Sequence, residues 1–287
     1  MTPCLRPAES YRAPHPRALA DCAVAALIDE ACLTPKPALV DQRGSGAHGD
    51  LDLDTMHRSA RALHPAFLAI ARASSLERPT QALRERLGRI GRDGEHAMLR
   101  ATNGSNAHRG AIWIVGLLCA GAAMTGSVDS STICAKAACV ARFDDRFVPP
   151  SATSSNGARV AERYGVAGAR GEATNGFPHV HDVGLPALQR ARAAGLNEND
   201  ARLEALISII ASLDDTCVLH RGGRTALDAA QYGARRVLES GGIGNERGRA
   251  ALADLERCLL ALNASPGGAA DLIAATIFLD TLPRLSD

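Results

Sequence analysis

The sequence has few of the groups with which proteins bind nucleic acids. Aromatic residues make up 3% of its 287 residues, which leaves few rings on which single-stranded bases could stack. The formal net charge is +1 and charged residues make up 22%, so no broad basic field faces a phosphate backbone. The composition therefore argues against a nucleic-acid partner.

Segments that would cross or pass a membrane are missing as well. The longest apolar run, Gly110 to Met124, is shorter than the roughly 20 residues that span a bilayer. The N-terminus mixes Pro, Arg, Glu and His where a secretory signal has an apolar core. The eight cysteines contain no CxxC pair, and most of them lie in apolar helical patterns. We expect no membrane association, reduced thiols and a cytoplasmic location.

Lysine is rare, since only Lys36 and Lys136 among the 32 basic residues are lysines. Lys36 lies between two prolines in the segment 33–41, which continues through a glycine-rich stretch to Asp52. The prolines prevent a continuing helix, and the glycines permit turns and close approach of a ligand. The segment is either a binding site that needs an ammonium group or a polar connection whose acidic residues cap the next helix.

Apolar residues recur at helical spacing in most of the remaining chain, and no convincing alternating strand interrupts them. The pattern predicts an all-α fold, a compact single-domain bundle of about nine to eleven helices with polar loops forming one pocket. We expect residues 1–16 to be a flexible segment and 17–287 to be one helical domain. The stretch from Pro149 to Arg170, rich in Pro, Ser and Gly, is either a lid or disordered.

Four further polar clusters interrupt the apolar pattern. Residues 103–110 suit a turn that exposes backbone N–H groups at a helix start, where Arg109 can bind phosphate. The alternative is that Asn106 only caps the helix and His108 lies on its surface. In residues 163–173, Arg170 and Glu172 form either a phosphate clamp beside a ribose acceptor or an ion pair that holds a loop.

The last two clusters lie at residues 214–223 and 263–271. Asp214 and Asp215 are expected at the C-terminus of the preceding helix, where carboxylates are unfavourable unless Mg²⁺ or an arginine compensates them. Residues 263–271 are interpreted as a helix start. His179 and His181 lack the partners of a zinc site at the usual spacing, so zinc is not expected.

In chain order, the five clusters resemble motifs of the triphosphoribosyl-dephospho-CoA synthase family. The family motifs are TPKPGLVD...GAHxDMD, GVNTHKGAIF, GARGEA...GFP, DTNVLHRGG and LSPGGSADLLAA. Ala38, Leu51 and Cys217 are among the departures, and the resemblance runs from near Asp21 to Phe278.

The resemblance implies transfer of the 5-triphosphoribosyl group of ATP to the ribose 2′-hydroxyl of 3′-dephospho-CoA, with release of adenine. The product would be the prosthetic-group precursor of an acyl carrier protein, and residues 109–113 and 214–217 look more like the malonate decarboxylase branch than the citrate lyase branch. ATP with Mg²⁺ and 3′-dephospho-CoA are the expected partners. The sequence leaves the oligomeric state open, a homodimer included.

This reaction needs groups that hold phosphates and groups that transfer protons across a ribosyl cation. The expected phosphate and substrate ligands are Lys36, Asn106, Arg109, Arg170, Glu172 and Arg221. The expected catalytic residues are His48, Asp50, His108 and Asp215, and the expected Mg²⁺ ligands are Asp50, Asp52 and Asp215. We expect Lys36, His48, Asp50, His108, Arg109 and Asp215 to converge on one pocket.

Two other functions remain at this point. A metal-dependent, all-helical N-glycoside hydrolase would break the same bond but transfer the ribosyl group to water. A non-catalytic nucleotide- or CoA-binding partner of a larger assembly would need the cations but not the carboxylates.

Overall fold

The computed structural model describes residues 15–148 and 156–285. Its α-helices are α1 (Pro16–Cys32), α2 (Leu53–Ala62), α3 (His64–Ser74), α4 (Gln81–Ala101), α5 (Arg109–Thr125), α6 (Ser130–Ala141), α7 (Asn156–Tyr164), α8 (Gly168–Thr174), α9 (Leu185–Ala193), α10 (Glu198–Ile210), α11 (Thr216–Glu239), α12 (Glu246–Ala261) and α13 (Gly267–Thr281). A π-helical turn (His179–Gly184) precedes α9, and a 3₁₀ turn (Leu282–Leu285) follows α13. No strand occurs in these residues, which confirms the all-α, single-domain prediction.

The described residues contain more helices than the nine to eleven predicted. Part of the difference lies in the stretch that we expected to be a lid or disordered, where α7 and the start of α8 are helical. Residues 149–155 of that stretch lie outside the described residues, as do residues 1–14 of the expected N-terminal segment. The lid and flexible-segment predictions therefore remain predictions.

Helix α5 is the centre of the core, because 13 of its 17 residues are buried. It packs against α1, α3, α6 and α13. Gly121 lets α6 approach closely, since a β-carbon there would lie 2.6 Å from the carbonyl oxygen of Ile133. Each fully buried side chain of the size of Leu118 contributes about 1.5–3 kcal/mol to folding.

Among the described helices, none is both long and apolar enough to cross a bilayer alone, and α5 with α6 meet that test only as a pair bent by 110°.

The N-terminal parts of three helices meet at one corner of this core. The carboxylate of Asp215 accepts hydrogen bonds from backbone N–H groups of α11 and also from that of Ala269 in α13. Asp271, at the start of the second turn of α13, lies against Gly110 in the first turn of α5. The N-termini of α5, α11 and α13 therefore point their positive dipole ends into the same region.

Candidate active site

Asp215 joins two of the converging helices. Its Oδ1 accepts from the N–H groups of Cys217 at 2.7 Å and Val218 at 3.3 Å, and its Oδ2 accepts from Ala269 at 2.9 Å. Burial raises the pKa of this carboxyl, and the backbone hydrogen bonds, that of Gly268 included, oppose the rise. Our expectation that Asp215 ends the preceding helix was wrong, because α10 ends at Ile210 and Asp215 is the N-cap of α11. A carboxylate at this end stabilises the helix.

Asp271 is the residue whose importance the sequence did not reveal. A β-carbon at Gly110 would lie 1.9 Å from its Oδ2, and its carboxyl accepts a hydrogen bond from the N–H of Ala111. Burial, followed by the nearby carboxylates of Glu30 and Asp215, raises the pKa of Asp271 well above its usual range. The environment of Asp271 therefore favours its protonated, uncharged form.

Lys36 and Glu30 form a buried ion pair beside Asp271. The Nζ of Lys36 donates to Oε1 of Glu30 at 2.5 Å and to the backbone oxygen of Glu30 at 2.7 Å. The two side chains are only 1% and 3% exposed. Glu30 neutralises the ammonium group, so Lys36 reaches a phosphate only if this pair opens. The sequence signal for Glu30 was its position, since it is the only charged residue on the buried face of α1.

His48 is held between Arg221 and Ser265. Its Nδ1 accepts from Nη2 of Arg221 at 3.0 Å, so its Nε2 carries the proton and donates to Oγ of Ser265 at 2.9 Å. Burial, and then the positive charges of Arg221 and Lys36, lower the pKa of His48 to about 4 although Asp50 opposes them. His48 is therefore a neutral imidazole at neutral pH.

His108 is more deeply buried and has one free nitrogen. Its Nδ1 shares a 2.6 Å hydrogen bond with the hydroxyl of Ser59. Its Nε2 is buried and has no hydrogen-bond partner in the part of the chain that the structure describes. Burial and the charge of Lys36 lower the pKa of His108 to about 3. A neutral imidazole with an unused nitrogen is suited to accept a proton from a substrate.

The carboxylates expected to hold Mg²⁺ are not gathered into one cluster. Asp50 is exposed, with Oδ1 4.0 Å from Nδ1 of His48. Asp52 is the N-cap of α2 and accepts from the N–H of Thr55 at 2.7 Å, while Asp215 is bound to backbone amides. Throughout the described residues, no three His, Cys, Asp or Glu side chains are arranged to hold a metal ion. The Mg²⁺ ligands stay a prediction.

The other expected substrate ligands are bound to protein groups. The Oδ1 of Asn106 accepts from the N–H of Arg109 at 3.1 Å. The alternative with Asn106 as the N-cap and His108 on the surface was wrong, because His108 is the N-cap of α5 and is buried. The guanidinium groups of Arg109 and Arg170 pair with Glu95 and Asp144, respectively. The side chain of Arg221 is shared between His48 and the carbonyl of Ala47.

Glu172 is also engaged within the protein. Its Oε1 accepts from the N–H of His179 at 2.8 Å, and its Oε2 lies 2.7 Å from the Nδ1 of that ring. Because the carboxylate is buried, this pair holds α8 against the π-helical turn. The expected ion pair between Arg170 and Glu172 is not formed, because Arg170 pairs with Asp144 and Glu172 with His179.

The structure thus places one set of side chains around the three helix N-termini, which we call the junction group. It consists of Glu30, Lys36, His48, His108, Asp215, Arg221 and Asp271. Of the six residues expected to converge, four belong to it and Asp50 lies at its edge. Arg109 begins α5 at the same corner, but its guanidinium pairs with Glu95 of α4.

Neutral imidazoles and a protonatable carboxyl can transfer protons, and helix N-termini favour anions. Together they make this corner of the all-helical fold the candidate active site. The model of the ATP:dephospho-CoA triphosphoribosyl transferase family matches residues 16–287, and the chain belongs to that family. It is accordingly a transferase.

Named relatives agree over nearly the whole chain. Proteins described as probable 2-(5''-triphosphoribosyl)-3'-dephosphocoenzyme-A synthases from Stutzerimonas stutzeri and Azotobacter vinelandii are 57% and 58% identical over 265 residues. These alignments cover 92% of this chain and 91% and 90% of the relatives. The 2-(5''-triphosphoribosyl)-3'-dephosphocoenzyme-A synthase of Klebsiella pneumoniae is 54% identical over 263 residues, 91% of this chain and 93% of its own. No solved structure matches.

Proposed function

We propose that this enzyme transfers the 5-triphosphoribosyl group of ATP to the ribose 2′-hydroxyl of 3′-dephospho-CoA and releases adenine. The family and the names of the relatives support this reaction. The observation that carries the proposal is the pairing of a carboxyl that favours its proton with a neutral imidazole that has a free nitrogen, Asp271 and His108, at one anion-favouring corner.

The bond to be broken joins ribose C1′ to N9 of adenine, so the leaving group needs a proton while positive charge develops on the ribose. We assign the donation of that proton to Asp271, because burial and two neighbouring carboxylates favour its protonated form. Loss of the proton places a negative charge next to the developing ribosyl cation. The same residue therefore assists departure and then stabilises the cation.

The acceptor hydroxyl must lose its proton as it attacks C1′. We assign this proton to Nε2 of His108, since both nitrogens of His48 are already hydrogen-bonded within the protein. Burial, and then the charge of Lys36, lower the pKa of this imidazole, so His108 is unprotonated before the step. After the transfer, His108 gives up its proton and Asp271 takes one up, directly or through solvent, so both residues regain their starting forms and neutral adenine leaves with no net release of protons.

Mg²⁺ remains part of the proposal as a companion of ATP. The described side chains provide no cage of three ligands, whereas Mg²⁺ usually binds substrate phosphates, water and one or two carboxylates. Among the expected ligands, Asp50 is the exposed carboxylate beside the junction group and would supply such a contact. Bound there, the ion would neutralise phosphate charge.

The use of the product is a further part of the proposal. We propose that it becomes the prosthetic group of the acyl carrier protein of a malonate decarboxylase, in the cytoplasm. The resemblance of residues 109–113 and 214–217 to that branch supports this assignment. A homodimer stays a prediction.

The test is an incubation of the purified protein with ATP, Mg²⁺ and 3′-dephospho-CoA, followed by chromatography of the bases and mass spectrometry of the CoA products. We expect free adenine and a product with the mass of dephospho-CoA plus an intact triphosphoribosyl unit. ADP with a phosphorylated acceptor would show a kinase instead. Ribose 5-triphosphate without a CoA adduct would show a hydrolase, and ATP binding without products would show a non-catalytic partner.

A further inference from the structure

Helix α11 is interrupted just beyond the junction group. Gly223 has φ 65° and ψ −162°, so the helix breaks there and starts again at Arg224. Glycine is favoured at this φ, and its neighbour Gly222 is restricted by space, since a β-carbon there would lie 2.4 Å from that of Ala226. The two glycines therefore produce a bend in α11 immediately before Arg224.

An aromatic ring and two arginines meet at this bend. A β-carbon on Gly223 would lie 3.4 Å from the hydroxyl oxygen of Tyr164, so the phenol reaches the break. The guanidinium carbon of Arg163 lies 5.2 Å from the ring centroid and that of Arg224 lies 5.8 Å from it. We call these three side chains the arginine–tyrosine cluster.

The charges of this cluster are uncompensated. Both arginines are exposed, and within the described residues neither forms an ion pair with a carboxylate. Two cations on one ring repel each other, so the arrangement is stabilised when an anion binds between or beside them. Arginine forks match phosphate oxygens in geometry as well as charge.

Three of the four cations that the sequence suggested for phosphate binding are arranged differently, and the fourth, Arg221, is bound to His48 and the carbonyl of Ala47. Lys36, Arg109 and Arg170 are each paired with a carboxylate. Binding a phosphate to any of them would first require an existing ion pair to open. The arginine–tyrosine cluster needs no such rearrangement.

The arginine–tyrosine cluster also lies next to the junction group along α11. Arg221, which donates to Nδ1 of His48, lies three residues before Arg224 on the same helix. The break at Gly223 lies between the two arginines, and Arg221 contacts His48 on one side of it while Arg224 contacts the ring of Tyr164 on the other. A ribose at the junction group would therefore direct its 5′ substituent toward the cluster.

We propose that Arg163, Tyr164 and Arg224 form the subsite that binds the triphosphate of ATP. This inference rests on the proposed function for the identity of the ligand. It explains how the enzyme holds a triphosphate without activating it, because arginines remote from the reacting C1′ bind the phosphates while the chemistry takes place at the other end of the ribose.

Inorganic tripolyphosphate is the probe, because it binds without reacting. Calorimetry should show binding to the wild-type chain that weakens about tenfold in Arg224→Gln and in Arg163→Gln, and more in the double variant. Arg236→Gln is the matched control, since Arg236 is an exposed arginine at the far end of the same helix. It should bind tripolyphosphate as the wild type does. Equal affinity in the wild type and the double variant would overturn the subsite.

Steady-state kinetics separate this inference from the proposed function. In the double variant, KM for ATP should rise by at least about tenfold while kcat at saturating ATP changes little. Adenine release with an unchanged KM would refute the subsite and leave the transferase reaction standing. If tripolyphosphate binding depends on the two arginines but the chain releases no adenine, the subsite would stand and the transferase reaction would be refuted.

Discussion

The carboxyl group of Asp271 lies directly against the α-carbon of Gly110. A β-carbon at residue 110 would be 1.9 Å from Oδ2, a distance that real contacts do not reach. The N-terminal parts of α13 and α5 therefore touch at a point where only a hydrogen atom fits.

Replacement of Gly110 by Ala should displace Asp271 and lower the rate of adenine release by at least about a hundredfold. The free energy of unfolding should fall by about 1–3 kcal/mol, as is typical of overpacking. Gly49→Ala is the control, because a β-carbon at Gly49 meets nothing within 4 Å. Activity in Gly110→Ala close to that of the control would show that the position of Asp271 does not matter.

Asp271→Asn separates catalysis from stability. Asparagine cannot donate an acidic proton, so adenine release should fall by about 10²–10⁴-fold. The side-chain oxygen of the asparagine can still accept a hydrogen bond from the N–H of Ala111. The substitution also removes a carboxyl group whose environment opposes ionisation. Because the folded pKa is raised, the wild type loses stability as pH rises through that pKa, and the variant does not. Chemical denaturation at several pH values should show the variant gaining relative stability with pH.

His108→Gln should change the pH dependence of the free energy of unfolding. The unfolded chain takes up a proton on this histidine near pH 6.5, whereas the folded chain does so only near pH 3. The stabilising contribution is therefore present above pH 6.5 and is lost as pH falls. Removing the histidine should reduce the slope of unfolding free energy between pH 6 and 4 by about 1.4 kcal/mol per pH unit. An unchanged slope would mean that His108 is hydrated in the folded state.

The pair of Lys36 and Glu30 should behave as a unit. Lys36→Met or Glu30→Gln alone leaves one buried charge without its partner and should cost about 3–5 kcal/mol of stability. The double variant should recover much of that loss, because both charges are gone. Urea denaturation of the four proteins gives the coupling energy, and additive losses would contradict the pairing.

Asp50→Asn should abolish adenine release with little change in melting temperature, since an exposed loop carboxylate contributes little to folding. If the carboxylate contacts Mg²⁺ on ATP, raising the Mg²⁺ concentration should restore part of the rate. Turnover equal to that of the wild type at low Mg²⁺ would exclude Asp50 from the reaction.

The fold was predictable because apolar periodicity directly reports which helix faces are buried. The junction group was predictable in part, because His48, His108 and Asp215 lie in polar interruptions of that pattern. Glu30 and Asp271 were not singled out as site residues, since each lies on a largely apolar helix and its partners come from distant segments. The burial of Lys36 was likewise hidden, because a lysine between two prolines has the same local pattern whether it faces water or a carboxylate.

The meeting of three helix N-termini has a consequence for selectivity. Peptide dipoles attract anions but add nothing to the net charge, so a chain of charge +1 can favour negatively charged groups, the carboxylate of Asp215 among them, at one interior corner. A surface rich in lysine would reach the same affinity only by also attracting RNA and DNA, which are abundant competitors in any cell. Discrimination between a free nucleotide and a nucleic acid is thus achieved by where the positive potential lies.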